Sequence, residues 1–256
     1  MDDLAYEGVF FDIGGVLLDL SSVRAGHERF LTRFAEENGI EAVDEFVADW
    51  RAALGHYFSS RDGTTFRPAL DGYRRAIAVA VALQESTALD REPVVSGGKE
   101  VPTTVPDEEW RPLFDAASAE TLRPSPGTGS TVRALDEAGC YLGIVSDIDT
   151  WEAERMLSTF DVRDCFDRVT TSESVGRTKP DPAMFDAALD DAPVAPERSL
   201  YVGDRYDHDM RGGKRAGFTT VAHGGTAAEN AAEDPDEVVD FVVSDLRELL
   251  DIVGVV

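Results

Sequence analysis

The stretch Val9-Phe10-Phe11-Asp12-Ile13-Gly14-Gly15-Val16-Leu17 decides how the rest of the chain is read. A short apolar run, closed by a carboxylate and followed at once by glycines, reads as a buried parallel strand with Asp12 at its carboxyl end. The pattern recurs where Tyr141-Leu142-Gly143-Ile144-Val145 runs into Ser146-Asp147, where Arg168-Val169-Thr170-Thr171 runs into Ser172-Glu173, and where Leu200-Tyr201-Val202 runs into Gly203-Asp204. Weaker strands are expected at Thr219-Thr220-Val221 and Phe241-Val242-Val243. Helical patterns lie between them, over residues 129–138, 150–160 and 182–189. Such alternation implies right-handed crossovers and an α/β fold, a Rossmann-like parallel sheet flanked by helices. In sheets of this kind ligands bind outside the carboxyl ends of the strands, where Asp12, Ser146 and Asp204 all fall.

Residues 21–120 break the alternation. Phe30, Leu31 and Phe34 share one helical face, Phe46, Trp50, Leu54 and Tyr57 another, and an Ala-rich segment follows over residues 66–89. About a hundred residues of helical pattern therefore separate the first core strand from the second. Residues 91–106 contain three prolines and Gly97-Gly98, the composition of a flexible surface connection.

The chain of 256 residues carries 24 Lys plus Arg against 50 Asp plus Glu, a formal charge of -26. A surface so negative argues against nucleic acid and anionic lipid as partners, because both are bound mainly through cations that neutralise phosphates. With 43% hydrophobic residues the chain can nevertheless bury a substantial core. Only Lys99, Lys179 and Lys214 are lysines, so nearly all the positive charge is arginine. Adaptation to a high-salt cytoplasm, where screening shortens self-repulsion to a few Å, accounts for such a coat. The acidic N-terminus lacks the basic flank of a secretory signal, and the longest apolar run, residues 76–83, is too short to span a bilayer. Cys140 and Cys165 are too few for a disulfide framework and read as buried reduced thiols. A cytoplasmic protein is expected.

Four signals carry chemistry: Asp12 with Gly14-Gly15; Ser146; Gly176-Arg177-Thr178-Lys179-Pro180-Asp181-Pro182; and Gly203-Asp204 with Asp207 and Asp209 behind it. Singly, each has an ordinary structural explanation as a helix cap or a solvated charge. Jointly they suit phosphoryl transfer. A carboxylate can act as nucleophile on phosphorus and split one hard displacement into two easier ones. Like charges about 4 Å apart repel by about 4 kcal/mol at an effective dielectric near 20, so cations must intervene. Asp12 and Asp204 offer hard oxygen ligands for Mg²⁺. Lys179 supplies a second positive charge, and Ser146 with nearby N–H groups suits the phosphoryl oxygens. The glycines after Asp12 allow close approach of the main chain. The candidate substrate-binding set is Gly14, Gly15, Ser146, Asp147 and Lys179.

In this order, the four motifs resemble the haloacid dehalogenase-like hydrolase superfamily across essentially the whole chain. The resemblance implies a catalytic core at residues 1–20 and 121–256 and an all-helical cap domain at residues 21–120. It implies Asp12 as nucleophile, and Ser146 and Lys179 as phosphoryl-binding and catalytic residues. The metal set implied is Asp12, the Gly14 carbonyl and Asp204, with Asp209 acting directly or through the metal's water. The expected activity is a Mg²⁺-dependent phosphatase for a small phosphorylated metabolite such as a sugar phosphate. Gly14 departs from the pattern, because phosphatase members usually carry there a second Asp that acts as general acid and base, commonly worth about 10² to 10⁴ in rate. His27, His56 and Asp19 are candidates to replace it. Two alternatives remain open at this point: a 2-haloacid dehalogenase, whose members also lack the second Asp, and an inactive binding member of the fold.

Overall fold

The computed structural model describes residues 4–84, 104–234 and 236–255. Lys99, most of the proline-rich connection and the end of the Ala-rich segment lie outside the described residues. The strands are β1 (Gly8–Phe11), β2 (Tyr141–Ser146), β3 (Arg168–Thr171), β4 (Ser199–Gly203), β5 (Thr219–His223) and β6 (Phe241–Val243). They form one sheet in the order β3-β2-β1-β4-β5-β6, with every pairing parallel. In that order the direction of winding reverses between β1 and β4, and the crevice beyond their carboxyl ends is where such sheets bind ligands.

Register sets the site. Phe11 pairs with Ile144 of β2 on one side and Val202 of β4 on the other. Asp12, Ser146 and Asp204 thus emerge at one end of the sheet. The β1 residues are all buried, as a central parallel strand covered on both faces requires.

Contacts divide the described chain into two compact units. One comprises Met1–Leu20, Thr64–Phe66 and Arg123–Val256; the other comprises Ser21–Gly63 and Arg67–Leu122. The second is built from α1 (Leu20–Glu37), α2 (Val43–Ser59), α3 (Ala69–Gln84) and α4 (Asp107–Thr121). Its core is aromatic: Phe30, Phe34, Phe46, Trp50, Trp110 and Phe114 are all buried. At about 1.5–3 kcal/mol for each fully buried large side chain, this cluster is the main stabilising term of the helical unit. Arginine forks hold the acidic exterior together, with Arg74 gripping Asp107 at 2.7 and 2.8 Å and Arg33 gripping Glu120 at 3.0 and 3.1 Å.

The sheet unit adds α5 (Thr128–Glu137), α6 (Thr150–Thr159), α7 (Ser172–Val175), α8 (Pro182–Leu189), α9 (Arg211–Arg215), α10 (Gly225–Asn230) and α11 (Glu248–Val253). A single π-helical turn, Tyr206–Met210, precedes α9. The acidic stretch after residue 229 is partly built into the fold. Asp234 accepts from the Tyr206 hydroxyl at 2.7 Å, and Asp240 accepts from the Thr220 N–H at 2.9 Å while pairing with Lys214. Both cysteines are free thiols; Cys140 is buried, but Cys165 is only half-buried because the turn that carries it lies at the sheet's margin. Among the described residues no helix is long and apolar enough to cross a membrane.

His27 lies against Trp50 at 5.0 Å and against Tyr73 and Phe114 at 5.8 Å between ring centroids. Burial, reinforced by the Arg51 charge, lowers its pKa to about 4. The unfolded chain therefore takes up a proton near pH 6.5 that the folded chain refuses until about pH 4. Stability is full above pH 6.5 and falls through that window, by about 3 kcal/mol in all. His27→Leu is expected to flatten this part of the pH dependence, measured by urea unfolding at pH 7.5 and pH 5. An unchanged difference between the two pH values would show that His27 is not its source.

Candidate functional site

Lys179 is the centre of the constellation. Its side chain is fully buried, and its ammonium meets three acceptors: Asp12 Oδ1 at 3.1 Å, Asp209 Oδ1 at 2.6 Å and the Tyr201 hydroxyl at 2.9 Å. An ammonium has three donors, so nothing is left unsatisfied. Burial alone would lower the pKa of Lys179, but Asp12 and Asp209 outweigh it and the group stays charged. Tyr201 comes from β4 and packs its ring against Phe185 and Phe218. Its hydroxyl proton faces the Val145 carbonyl at 3.1 Å and Asp209 at 3.2 Å.

Asp209 stands on the π-helical turn and is fully buried. One oxygen is occupied by Lys179 and Tyr201, and the other accepts the N–H groups of Asp204 at 3.2 Å and Arg205 at 2.9 Å. Burial favours its neutral form, yet Lys179 and Arg205 prevail and hold its carboxyl below the usual range. Gly203 makes this possible, since a Cβ there would overlap the Asp209 side chain.

Asp12 is 3% exposed, and one of its oxygens accepts the Ile13 N–H at 2.8 Å. The Ser146 hydroxyl, at the end of β2, also bonds this carboxylate. Burial pushes the Asp12 pKa up; Lys179 only partly offsets this, because its charge is shared with Asp209, which repels Asp12 in turn. Asp204 is pushed up to about 7 by burial and by the Asp12 and Asp209 charges. Asp12, Asp204 and Asp209 each bring a carboxylate oxygen within 4.8 Å of the others. Carboxylates thus outnumber cations here, and the deficit falls on Asp12 and Asp204.

Asp147, expected as a substrate contact, is committed within the protein. It accepts the Lys179 N–H at 2.8 Å and the Ser172 hydroxyl at 3.0 Å through one oxygen, and Arg205 at 2.8 Å through the other. Gly14 and Gly15 form the turn after β1. Gly15 has φ of +77°, and a Cβ there would fall on the Asp204 carboxylate. Gly14 is different: among the described residues the only heavy atom near its would-be Cβ is from Leu20, at 3.8 Å. Asp12, Ser146, Asp147, Asp204 and Gly14 line one cavity of about 240 Å³, together with Ile13, Leu18, Leu20, Ile148 and Arg205.

Three contributors were not legible as site residues. Arg205 and Tyr201 were visible only as neighbours of stronger signals. Thr64 lies within the helical stretch, yet its carbonyl accepts the Thr178 N–H at 2.7 Å and its hydroxyl donates to Asp181 at 2.7 Å, bracing the loop that carries Lys179. No local periodicity announces a pairing between residues more than a hundred positions apart.

A buried lysine thus serves two carboxylates at the switch point of a parallel sheet. The chain belongs to the haloacid dehalogenase-like hydrolase family, which it matches over residues 6–217. It is 38% identical over 136 residues to a glyceraldehyde 3-phosphate phosphatase of Methanopyrus kandleri, a match covering 52% of this chain and 57% of the relative. The chain thus spans a little over half the length of that curated relative. Its fold is that of the Bacillus subtilis HAD-hydrolase YfnB, solved with bound magnesium (TM-score 0.68, 19% identity, 97% of this chain and 99% of the other). It is equally that of the L-2-haloacid dehalogenase of Xanthobacter autotrophicus (TM-score 0.61, 19% identity, 97% and 98%).

Gly15→Ala is expected to destabilise the protein by about 1–3 kcal/mol more than Gly139→Ala, which shares the positive φ (+84°) but has no atom near its Cβ. Equal losses in denaturant melts would mean that Asp204 does not depend on the open space at Gly15.

Proposed function

We propose that this chain is a Mg²⁺-dependent phosphatase acting on a small phosphorylated metabolite of the sugar-phosphate kind, with Asp12 as nucleophile. The observation that carries this reading is the surplus of carboxylate at the strand ends, where Asp12 and Asp204 converge beside a single buried lysine. In this reading residues 1–20 and 121–256 are the catalytic core, residues 21–120 the cap domain, and the setting a salt-rich cytoplasm. The phosphatase relative supports it. Likeness of fold alone does not choose, since a dehalogenase shares it. A carbon electrophile has no use for a surplus of charge that only a cation relieves, and burying uncompensated carboxylates is costly. That favours the phosphatase over the dehalogenase.

The donor set fits a hard divalent cation: two carboxylates, Asp12 and Asp204, with the Gly14 carbonyl beside them. When bound, Mg²⁺ would supply positive charge to the phosphoryl oxygens, a Lewis-acid role. Asp209, with both oxygens engaged, would act by holding Lys179 and the Asp204 backbone in place.

An oxygen of Asp12 attacks phosphorus, and the bond from phosphorus to the leaving oxygen breaks. The leaving oxygen takes its proton from water, because Gly14 brings no acid. His27, neutral in its aromatic surroundings at pH 7, is a poor proton donor. Water then attacks the phosphorus of the aspartyl-phosphate, the bond to Asp12 breaks, and inorganic phosphate departs with the carboxylate restored. Lys179 stays beside Asp12 throughout and limits the build-up of charge, while Ser146 donates to the phosphoryl oxygens.

Asp12→Asn is expected to reduce Mg²⁺-dependent hydrolysis of an aryl phosphate to background, as is chelation of the metal. Activity that survives either treatment would contradict the mechanism. Gly14→Asp, for which the turn has room, is expected to raise turnover of alkyl phosphates by about 10²-fold. Aryl phosphates, whose leaving groups need no proton, should gain little. Equal response of both classes would show that leaving-group protonation is not what limits the enzyme.

A further inference from the structure

The cavity beyond the strand ends is lined by three carboxylates, Asp12, Asp147 and Asp204, and by one cation, Arg205. Lys179 is not among the lining residues; it lies beneath them, fully buried, with all three N–H groups committed. Four carboxylates (Asp12, Asp147, Asp204, Asp209) thus face two cations (Lys179, Arg205), a deficit of two charges when all are ionised. A divalent cation brings this to balance and no further. A phosphate monoester dianion entering such a site meets no surplus attraction, and its binding depends on donors that can touch its oxygens directly.

Arg205 is placed to do so. Its side chain is 35% exposed, and Asp147 fixes it through Nη2 at 2.8 Å. Its Nε stands 3.8 Å from Asp209 Oδ2, too far for a hydrogen bond. A guanidinium has five N–H donors in a planar fork, and the ion pair with Asp147 uses only part of that fork. The backbone holds the residue firmly, because the Arg205 N–H donates to Asp209 at 2.9 Å. Asp147 is itself bonded to the Lys179 main chain, so the guanidinium and the buried ammonium are registered on one frame.

We propose that Arg205 is a direct phosphoryl ligand, its free N–H groups contacting non-bridging oxygens of the group being transferred to Asp12. Resting on the phosphatase reading, this assigns to Arg205 an exposed cationic contact in addition to that of the buried Lys179. Arginine suits the task, since its fork matches two phosphoryl oxygens at once where an ammonium offers a point charge. Asp147 then acts as a positioning residue that sets the angle of the guanidinium.

The test uses the full-length protein with Mg²⁺ and an aryl phosphate, and follows both kcat/KM and competitive inhibition by inorganic phosphate. Arg205→Gln is expected to lower kcat/KM by about 10²-fold and to weaken phosphate inhibition by about tenfold or more. Arg205→Lys, which keeps the charge without the fork, should fall between Gln and wild type in both readouts. Guanidinium ion added to Arg205→Ala should restore part of the lost turnover. Thermal melts of each variant establish that it is folded; if Arg205→Gln is not, Arg205→Lys carries the test. A folded Arg205→Gln protein within about threefold of wild type, or one that loses turnover while phosphate inhibition stays unchanged, overturns the proposal. So does an Arg205→Lys protein equal to wild type in both readouts. Wild-type protein that hydrolyses no phosphate ester overturns the phosphatase reading, and the assignment of Arg205 with it.

Discussion

The ammonium of Lys179 is the interaction on which the site depends. Burying such a group costs several kcal/mol unless every donor is met, and here three acceptors from three places in the chain meet it: Asp12 after β1, Tyr201 on β4 and Asp209 on the turn before α9. The lysine thereby ties together the strands that flank the switch point. Its own loop is braced from outside by Asp147 and Thr64. Loss of the ammonium would leave Asp12 and Asp209 buried without compensation, a defect of the kind that costs about 3–5 kcal/mol.

One lysine cannot neutralise all the carboxylates gathered around it. Asp209 is held ionised by Lys179 and Arg205, while burial pushes Asp12 and Asp204 towards protonation. The resulting imbalance gives the cavity its chemistry. In the proposed reading it suits a divalent cation, sets Asp12 beside it as nucleophile, and leaves Arg205 as the cation that lines the cavity. The acidic exterior is a separate matter. There arginine forks such as Arg74 with Asp107 and Arg33 with Glu120 hold a solvated coat, and exposed pairs of this kind add little to stability.

Much of this was legible in the sequence because it rests on local grammar. Short apolar runs ending in Asp12, Ser146 and Asp204 mark parallel strands and their carboxyl ends, and the sheet contains all six expected strands. Residues 182–189, with proline at the start and Asp181 before it, are a helix with Asp181 capping Ala183. What escaped was set by distance. Thr64 reaches the Lys179 loop by a pairing that no periodicity encodes, and Tyr201 looked like any apolar strand residue until its hydroxyl met the lysine. Asp147, expected among the substrate-binding residues, does line the cavity, but its three hydrogen bonds to Ser172, Lys179 and Arg205 were not legible. Asp209, expected to support a metal, does stand within 4.8 Å of Asp12 and Asp204, but its bond to the buried lysine was not legible.

The most direct measurement is of covalent chemistry at Asp12. Protein turning over a phosphate ester in Mg²⁺ is quenched rapidly in acid, digested, and analysed by mass spectrometry for a phosphoryl group. A phosphoryl adduct on the peptide containing Asp12, absent from Asp12→Asn and absent without Mg²⁺, is the expected result. A phosphoryl adduct on another residue, or steady turnover with no adduct on Asp12 and inversion of configuration at a chiral phosphorus, as a single direct displacement requires, would contradict it.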